Sequence, residues 1–506
     1  MTQPVLELNR ITKRFGGLTA NDDVTLHLNQ GEILALLGEN GAGKTTLMNI
    51  LFGHYTADAG EVRVSGRALP PGMPRAAIAA GVGMVHQHFT LAANLSVLEN
   101  ITIGSEPLWR PDSRRAEARA GIAGIARTFG LPVNPDARVG DLSVGERQRV
   151  EIVKALYRKA RILILDEPTA VLARPEAEQL FATLRGMTAG GLSIIFISHK
   201  LHEVMAASDR VVVLRGGKVV AERRTASTNP AELAELMVGR QVVRPRRTAH
   251  ATGKPVLEAR GLTVIDAGKR GLDAADFTVC EGEILGIVGV SGNGQASLGR
   301  VLSGLARPLS GTLTLQGRDI TRLAPRDLVR LGIGRVPEDR HAEGVVGDLP
   351  VWENAVLERL RTPVFSYRGF VRRAEARAYA ARLIDRFDIR GAGPETRTRL
   401  LSGGNMQKLI LGRNLAAQPG FLLANQPTRG LDEGAIAAVH AELLAARDQG
   451  AAILLISEDL EEAAALSDRI QAIVKGRLSQ PVPADRADAR TLGLMMAGVW
   501  EVRDAV

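Results

Sequence analysis

The stretch QGEILALLGENGAGKTTL, Gln30–Leu47, decides the fold. Its apolar run Ile33–Leu37 has the composition of a buried strand and leads straight into Gly38, Glu39, Asn40, Gly41, Ala42, Gly43, Lys44 and Thr45. That octet fits GxxxxGK followed by Ser or Thr, and Thr46 and Leu47 then open an apolar helix. The glycines let backbone N–H groups curl around phosphate oxygens at a helix N-terminus, where the dipole favours an anion. Lys44 is expected to reach the β- and γ-phosphates of a nucleotide, and the Thr45 hydroxyl to ligate Mg2+.

Working outward, the unit occurs again. Glu281–Leu298 reads EGEILGIVGVSGNGQASL, about 250 residues downstream. SVLENITIG from Ser96 matches PVWENAVLE from Pro350, and DLSVGERQRVEI from Asp141 matches LLSGGNMQKLIL from Leu400. LILDEPTAVL from Leu163 pairs with LLANQPTRGL from Leu422, and SIIFISHKLHEV from Ser193 with AILLISEDLEEA from Ala452. So long a period excludes a solenoid and implies two copies of one domain, residues 1–239 and 256–506. The polar, basic and proline-bearing segment 240–255 joins them as a linker. In each copy apolar strands alternate with helices, which predicts α/β domains with largely parallel sheets.

Composition agrees with several folded domains: 506 residues, 45% hydrophobic and 24% charged. No apolar run is long enough to cross a bilayer, and MTQPVLELNR lacks the features of a secretory signal, so the chain is expected in the cytosol. A single cysteine, Cys280, excludes an internal disulfide framework or a Cys-based zinc site; in FTVCEGEIL it reads as a small buried core residue. The net charge of +9 is spread along the chain, with one short cluster at Arg244–Arg247, and carries little weight alone.

Two further motifs accompany the first loop. Ile162–Glu167 is an apolar strand ending in two carboxylates. Alone the pair could be a solvated strand end. Beside a phosphate loop, Asp166 is expected to hold Mg2+ through water and Glu167 to act as general base on the attacking water. Leu142–Glu146, LSVGE, is a variant of an LSGGQ signature.

With these motifs the sequence resembles ATP-binding-cassette ATPases over nearly its whole length, in both halves. The resemblance implies ATP, and in each half a RecA-like core with an antiparallel β subdomain and a helical subdomain. It implies that Gln87, in MVHQHF, senses Mg2+ and links nucleotide to partner. His199 would contact the γ-phosphate, and Phe15, in ITKRFGGLTAND, would stack on adenine. His86 and His88 beside the glutamine read as surface residues.

The second half departs from the pattern in an ordered way. Gln295 and Ala296 replace Lys44 and Thr45, Asn425–Gln426 replaces Asp166–Glu167, Glu458 replaces His199 and Glu338 replaces Gln87. Yet it keeps Leu401, Ser402, Gly403, Gly404 and Asn405, and Gly430–Asp432, where the first half has Val144 for a signature glycine and Ala173 for Asp432. Losses sort this way if two halves pack head to tail, each nucleotide lying between one loop and the other half's signature. One composite site then gathers Lys44, Thr45, Gln87, Asp166, Glu167 and His199 with Ser402, Gly404 and Asp432.

LSGGN, PTRG at Pro427 and SED at Ser457 resemble the fused ATPase subunits of bacterial simple-sugar and nucleoside importers. NGQ at Asn293, PEDRH at Pro337 and NQPTRGLD at Asn425 are most like the nucleoside branch. That resemblance implies two membrane permease subunits, an external solute-binding protein, and a peripheral position on the cytoplasmic face of the inner membrane. Permease contact is expected through the Q-loop and residues 89–138, and their second-half equivalents. The competing class, a soluble twin-cassette ATPase on ribosomes or nucleic acid, fits less well, because the linker is short and only one site is intact.

Overall fold

The structure, a computed structural model, describes residues 4–86, 89–104, 115–169, 174–198, 200–239, 245–248, 250–266 and 269–499. Gln87, His88, Ala173, His199 and much of 240–249 therefore lie outside the described residues. The chain divides into two compact units, Met1–Val242 and Val243–Val506.

In the first unit Ile33–Leu37, Ile162–Asp166 and Ser193–Ile197 are buried at every position. Such runs do not alternate because helices cover both faces of a parallel sheet. The sheet runs Lys218–Arg224, Arg210–Arg215, Ile33–Leu37, Ser193–Ile197, Ile162–Asp166, Val82–Val85. Every pairing is parallel except the first, an antiparallel hairpin. A separate antiparallel sheet holds Leu6–Phe15 between Leu18–Leu28 and Ala59–Val64. Leu6 and Leu8 alternate inward, and a register break at Arg10, φ 55°, brings Ile11 into the same core, which the phosphate-loop helix Lys44–Phe52 shares. Helices Val97–Thr102, Arg115–Phe129 and Val144–Tyr157 pack together as a helical layer. Ser96 with Glu99 and Ser143 with Glu146 form full capping boxes, which fixes where two of them begin.

The second unit repeats the plan. Ile333–Val336, Phe421–Asn425, Ala452–Ser457, Ile284–Val288 and Arg469–Val474 lie side by side, all parallel. Pro255–Asp266 sits between Lys269–Cys280 and Ser310–Leu315 in the antiparallel sheet. The α/β architecture expected from the sequence is thus present in each unit.

Thr248 and Gly253 are hydrogen-bonded within the second unit: Gly253 donates to Glu281 O at 2.8 Å, and Arg447 Nη2 donates to Thr248 O at 3.2 Å. One detail differs from expectation. Cys280 is half-buried, not a core residue. Strand alternation sends Phe277 and Val279 inward and puts Cys280 on the opposite face, where its N–H donates to Glu283 Oε2 at 2.7 Å.

Candidate functional site

Parallel sheets open their ligand sites at the carboxyl ends of strands, and the first-unit motifs meet there. Strand Ile33–Leu37 delivers the loop, and helix Lys44–Phe52 starts at its far end with Gly43 as N-cap, φ 99°. Only glycine serves at Gly43: a Cβ would lie 2.2 Å from Ala20 O and 2.7 Å from Asn21 Nδ2. At Gly38 it would lie 2.4 Å from Leu214 O. Asn21, fully buried, donates to Gly43 O at 3.2 Å and so ties the antiparallel sheet to the loop.

Lys44 is buried and donates to Gly38 O at 2.7 Å and Glu39 O at 3.0 Å, folding its ammonium over the loop. The Thr45 hydroxyl is hydrogen-bonded to Asp166, the last residue of its strand. Burial, then the neighbouring Glu167 charge, pushes the Asp166 carboxyl up to about 6, against the pull of Lys44 and Thr45. Glu167 turns the chain with φ 47° while its N–H donates to Ile197 O at 3.0 Å. The structure thus brings Gly38–Thr46 together with Asp166 and Glu167. Among the described residues no group of three or more His, Cys, Asp or Glu side chains could hold a metal ion. A hydroxyl and one carboxylate suit Mg2+ that keeps waters and shares phosphate oxygens.

Phe15 ends its strand 44% exposed, edge-on to Tyr55 with ring centroids 5.5 Å apart and Lys13 Nζ 5.4 Å above it. An exposed aromatic face there can accept a base. Tyr55 gave no signal in the motif reading. His86, expected at the surface, is half-buried: its ring stacks on His54 at 5.6 Å, with Phe52 edge-on at 6.3 Å. It leaves the edge strand Val82–Val85 toward a groove of about 190 Å³ lined by Phe52, Met84, Thr90, Glu151 and Lys154. Burial, and then His54, lowers its pKa.

The second unit's loop is chemically different. Gln295, 6% exposed, donates to Val290 O at 3.0 Å and accepts from Asn293 N–H at 3.1 Å, so both ends of its amide are used inside the loop. Asn293 adds a bond to Val290 O at 2.9 Å and accepts from Lys475 N–H at 2.9 Å. The Thr45–Asp166 contact has no counterpart, since Ala296 has no hydroxyl and Asn425 Oδ1 is buried without a hydrogen-bond partner.

The two signatures differ at one decisive atom. In the first unit the Ser143 hydroxyl donates to Glu146 Oε2 at 2.7 Å, so its proton is committed and a carboxylate stands beside it. In the second, Ser402 Oγ accepts from Asn405 Nδ2 at 3.0 Å and from its N–H at 3.4 Å, leaving the hydroxyl proton to donate elsewhere. Ser402 caps helix Gly403–Leu415. Gly404 packs on the next helix, where a Cβ would lie 3.2 Å from Ala435 Cβ. Asp432 is buried and caps that helix, accepting from Ala435 N–H at 2.9 Å. Ser402, Gly403, Gly404, Asn405 and Asp432 thus form one cluster. Two supports escaped the motif reading: Gln148 Nε2 donates to Pro168 O at 2.6 Å, and Gln407 Nε2 to Pro427 O at 2.7 Å. The two glutamines stand at the same place in the repeats, five residues after Ser143 and Ser402.

The ABC transporter family profile matches residues 21–170 and 272–429. A glucose import ATP-binding protein of Haloferax volcanii is 44% identical, covering 98% of this chain and 96% of its own. A guanosine import ATP-binding protein of Bacillus subtilis is 45% identical, covering 98% and 97%. Among solved structures, an archaeal ribosome recycling factor in complex with ribosomal stalk protein aligns over 97% of this chain and 92% of that chain. Its TM-score is 0.64 at 17% identity, a likeness of fold alone.

Proposed function

The chain belongs to the ABC transporter family and is an ATPase, and on that premise we propose that it energises import of a small solute through partner permeases, nucleosides foremost and simple sugars otherwise. One hydrolytic site serves the chain, formed by the first unit's phosphate loop and the second unit's signature. The observation that carries this reading is the pairing of opposites: an intact Lys44–Thr45–Asp166 cradle with a spent Ser143 proton in one unit, and a Gln295–Ala296 loop without ammonium or hydroxyl with an available Ser402 proton in the other.

Lys44 and the loop N–H groups neutralise the triphosphate. Thr45, Asp166 through water, and Gln87 would hold Mg2+, which would supply positive charge to the triphosphate. Glu167 takes a proton from water as the water oxygen bonds the γ-phosphorus and the bond to the β–γ bridging oxygen breaks, giving ADP and phosphate. His199, the Ser402 hydroxyl and the N–H groups of Gly403 and Gly404 stabilise the charge that develops on the γ-phosphate. Phe15 stacks on adenine, and Asp432 is assigned to nucleotide binding with Ser402.

Two permease subunits would hold the chain at the cytoplasmic membrane face, with an external binding protein supplying solute. Among the described residues no helix is long and apolar enough to cross a membrane. The guanosine-importing relative and the motifs at Asn293, Pro337 and Asn425 support nucleosides; the glucose-importing relative supports sugars almost equally. The test is a ligand screen of the partner binding protein against nucleosides, nucleobases and pentoses. Binding of pentoses alone would overturn the nucleoside assignment. Sedimentation with membranes should need the adjacent permease genes, whereas salt-sensitive retention on RNA without them would overturn the importer reading.

A further inference from the structure

The motifs PEDRH, Pro337–His341, and PTRG, Pro427–Gly430, have no part in the chemistry above, yet the structure joins them. Glu338 Oε1 and Arg429 Nη1 form an ion pair. Two residues on, Arg340 Nη1 donates to Arg429 O at 2.7 Å and Nη2 reaches Gly430 O at 3.5 Å. The same guanidinium lies flat against the signature: a Cβ on Gly403 would fall 2.7 Å from Nη2, 3.1 Å from Cζ and 3.2 Å from Nε. Arg340 therefore touches the loop that carries Leu431 and Asp432 and, on its other side, the glycine next to Ser402.

The turn bearing Arg340 is itself anchored. Asp339 accepts from His341 N–H and Ala342 N–H, each at 2.9 Å, opening a π-helical turn over Arg340–Gly344. Arg413, buried, closes that turn by donating to Gly344 O at 3.1 Å. Burial lowers the Arg340 pKa, Asp339 opposes this, and Arg429 adds to it. Such a cation, half withdrawn from water beside a second arginine, persists only where its contacts hold it.

In the first unit the equivalent positions are Phe89 for Arg340 and Val144 for Gly403. The second signature's glycine is the space its arginine requires.

We propose that Arg340, fastened by the Glu338–Arg429 ion pair, is a positioning residue that fixes the Ser402–Asn405 loop for transition-state contact with the nucleotide held by the first unit. Glu338, which replaces the glutamine of the working half, serves the partner site through this clamp. The inference rests on the single composite site proposed above.

Steady-state hydrolysis by the full chain, with ATP affinity measured separately on the same preparations, tests it. Arg340→Ala should lower kcat about tenfold or more with KM and ATP affinity little changed, since misplacement of a transition-state contact acts on turnover. Arg340→Lys should recover little, because an ammonium cannot bond two carbonyls while lying flat on Gly403. Gly403→Ala should be as damaging alone, and Arg340→Ala/Gly403→Ala no worse than Arg340→Ala. The reversed pair Glu338→Arg/Arg429→Glu should restore turnover lost in either single variant. Additive losses at Arg340 and Gly403, or a loss that tracks the thermal midpoint with no kcat-against-KM split, overturns the clamp. Ser402→Ala is the control: if it leaves kcat unchanged, the composite site itself fails; if it lowers kcat while Arg340→Ala does not, the clamp alone fails.

Discussion

The Thr45 hydroxyl bonds the Asp166 carboxylate, joining the first turn of the phosphate-loop helix to the end of the neighbouring strand. Burial and Glu167 raise Asp166 from 3.8 to about 6. Across that window the folded chain holds a proton the unfolded chain has released, so stability falls as pH rises through it and levels off above. A cation must displace the same proton. Mg2+-dependent ATP binding should therefore strengthen from about pH 5 to about pH 7, while the thermal midpoint of the nucleotide-free chain falls. Asp166→Asn should flatten both curves. Titrations of wild type that show no change in Mg2+ dependence over this range would refute the assignment.

Glu167→Gln should cut hydrolysis by about 10²–10⁴ while ATP still binds. Nucleotide recovered from the variant after prolonged incubation should be ATP; recovery of ADP at the wild-type rate would remove Glu167 as general base. Gln426→Glu in the second unit should change nothing, because Gln295 supplies no ammonium and Ala296 no hydroxyl there.

Gly404→Leu should abolish turnover, since even a Cβ at that site presses on Ala435 at 3.2 Å. Gly145→Leu, on the signature whose serine already spends its proton on Glu146, should matter much less. Equal losses in the two variants count against one composite site.

Equilibrium dialysis should find one nucleotide per chain, because Gln295 brings no ammonium and Ala296 no hydroxyl to the second loop. Lys44→Ala should then take binding to near zero. Two nucleotides per wild-type chain would show that the Gln295 loop still takes a nucleotide.

Asn354 is fully buried and serves two segments: its Oδ1 accepts from Val346 N–H at 2.8 Å, and its Nδ2 donates to Val346 O at 3.0 Å and Thr398 Oγ1 at 2.9 Å. Asn354→Ala should cost about 1–3 kcal/mol for the groups left unpaired, read as a lower denaturant midpoint.

The loop at Gly38 was legible because GxxxxGK encodes a backbone shape, and the buried strands because apolar runs between turns leave few alternatives. Asn354 could have been found: Asn100 occupies the same place in the first repeat and clips Ala92 N–H at 2.8 Å in the same manner. Arg340 could not. Its partners lie 63 to 90 positions away in sequence and meet it only because the sheet places Ile333–Val336 beside Phe421–Asn425. Cys280 and His86 were misread for local reasons, one by the face of an alternating strand and one by the turn out of an edge strand.

Glu167 and Gln426 share a left-handed backbone, φ 47° and φ 50°, and each donates its N–H to the neighbouring strand. A side chain in that region costs on the order of 1 kcal/mol, and the second unit retains the cost without the carboxylate. The bend therefore belongs to the chassis and not to the reaction. For an engineer, the dormant half is a ready-made mount: restoring its chemistry would be a matter of exchanging side chains on a backbone that already points them the right way.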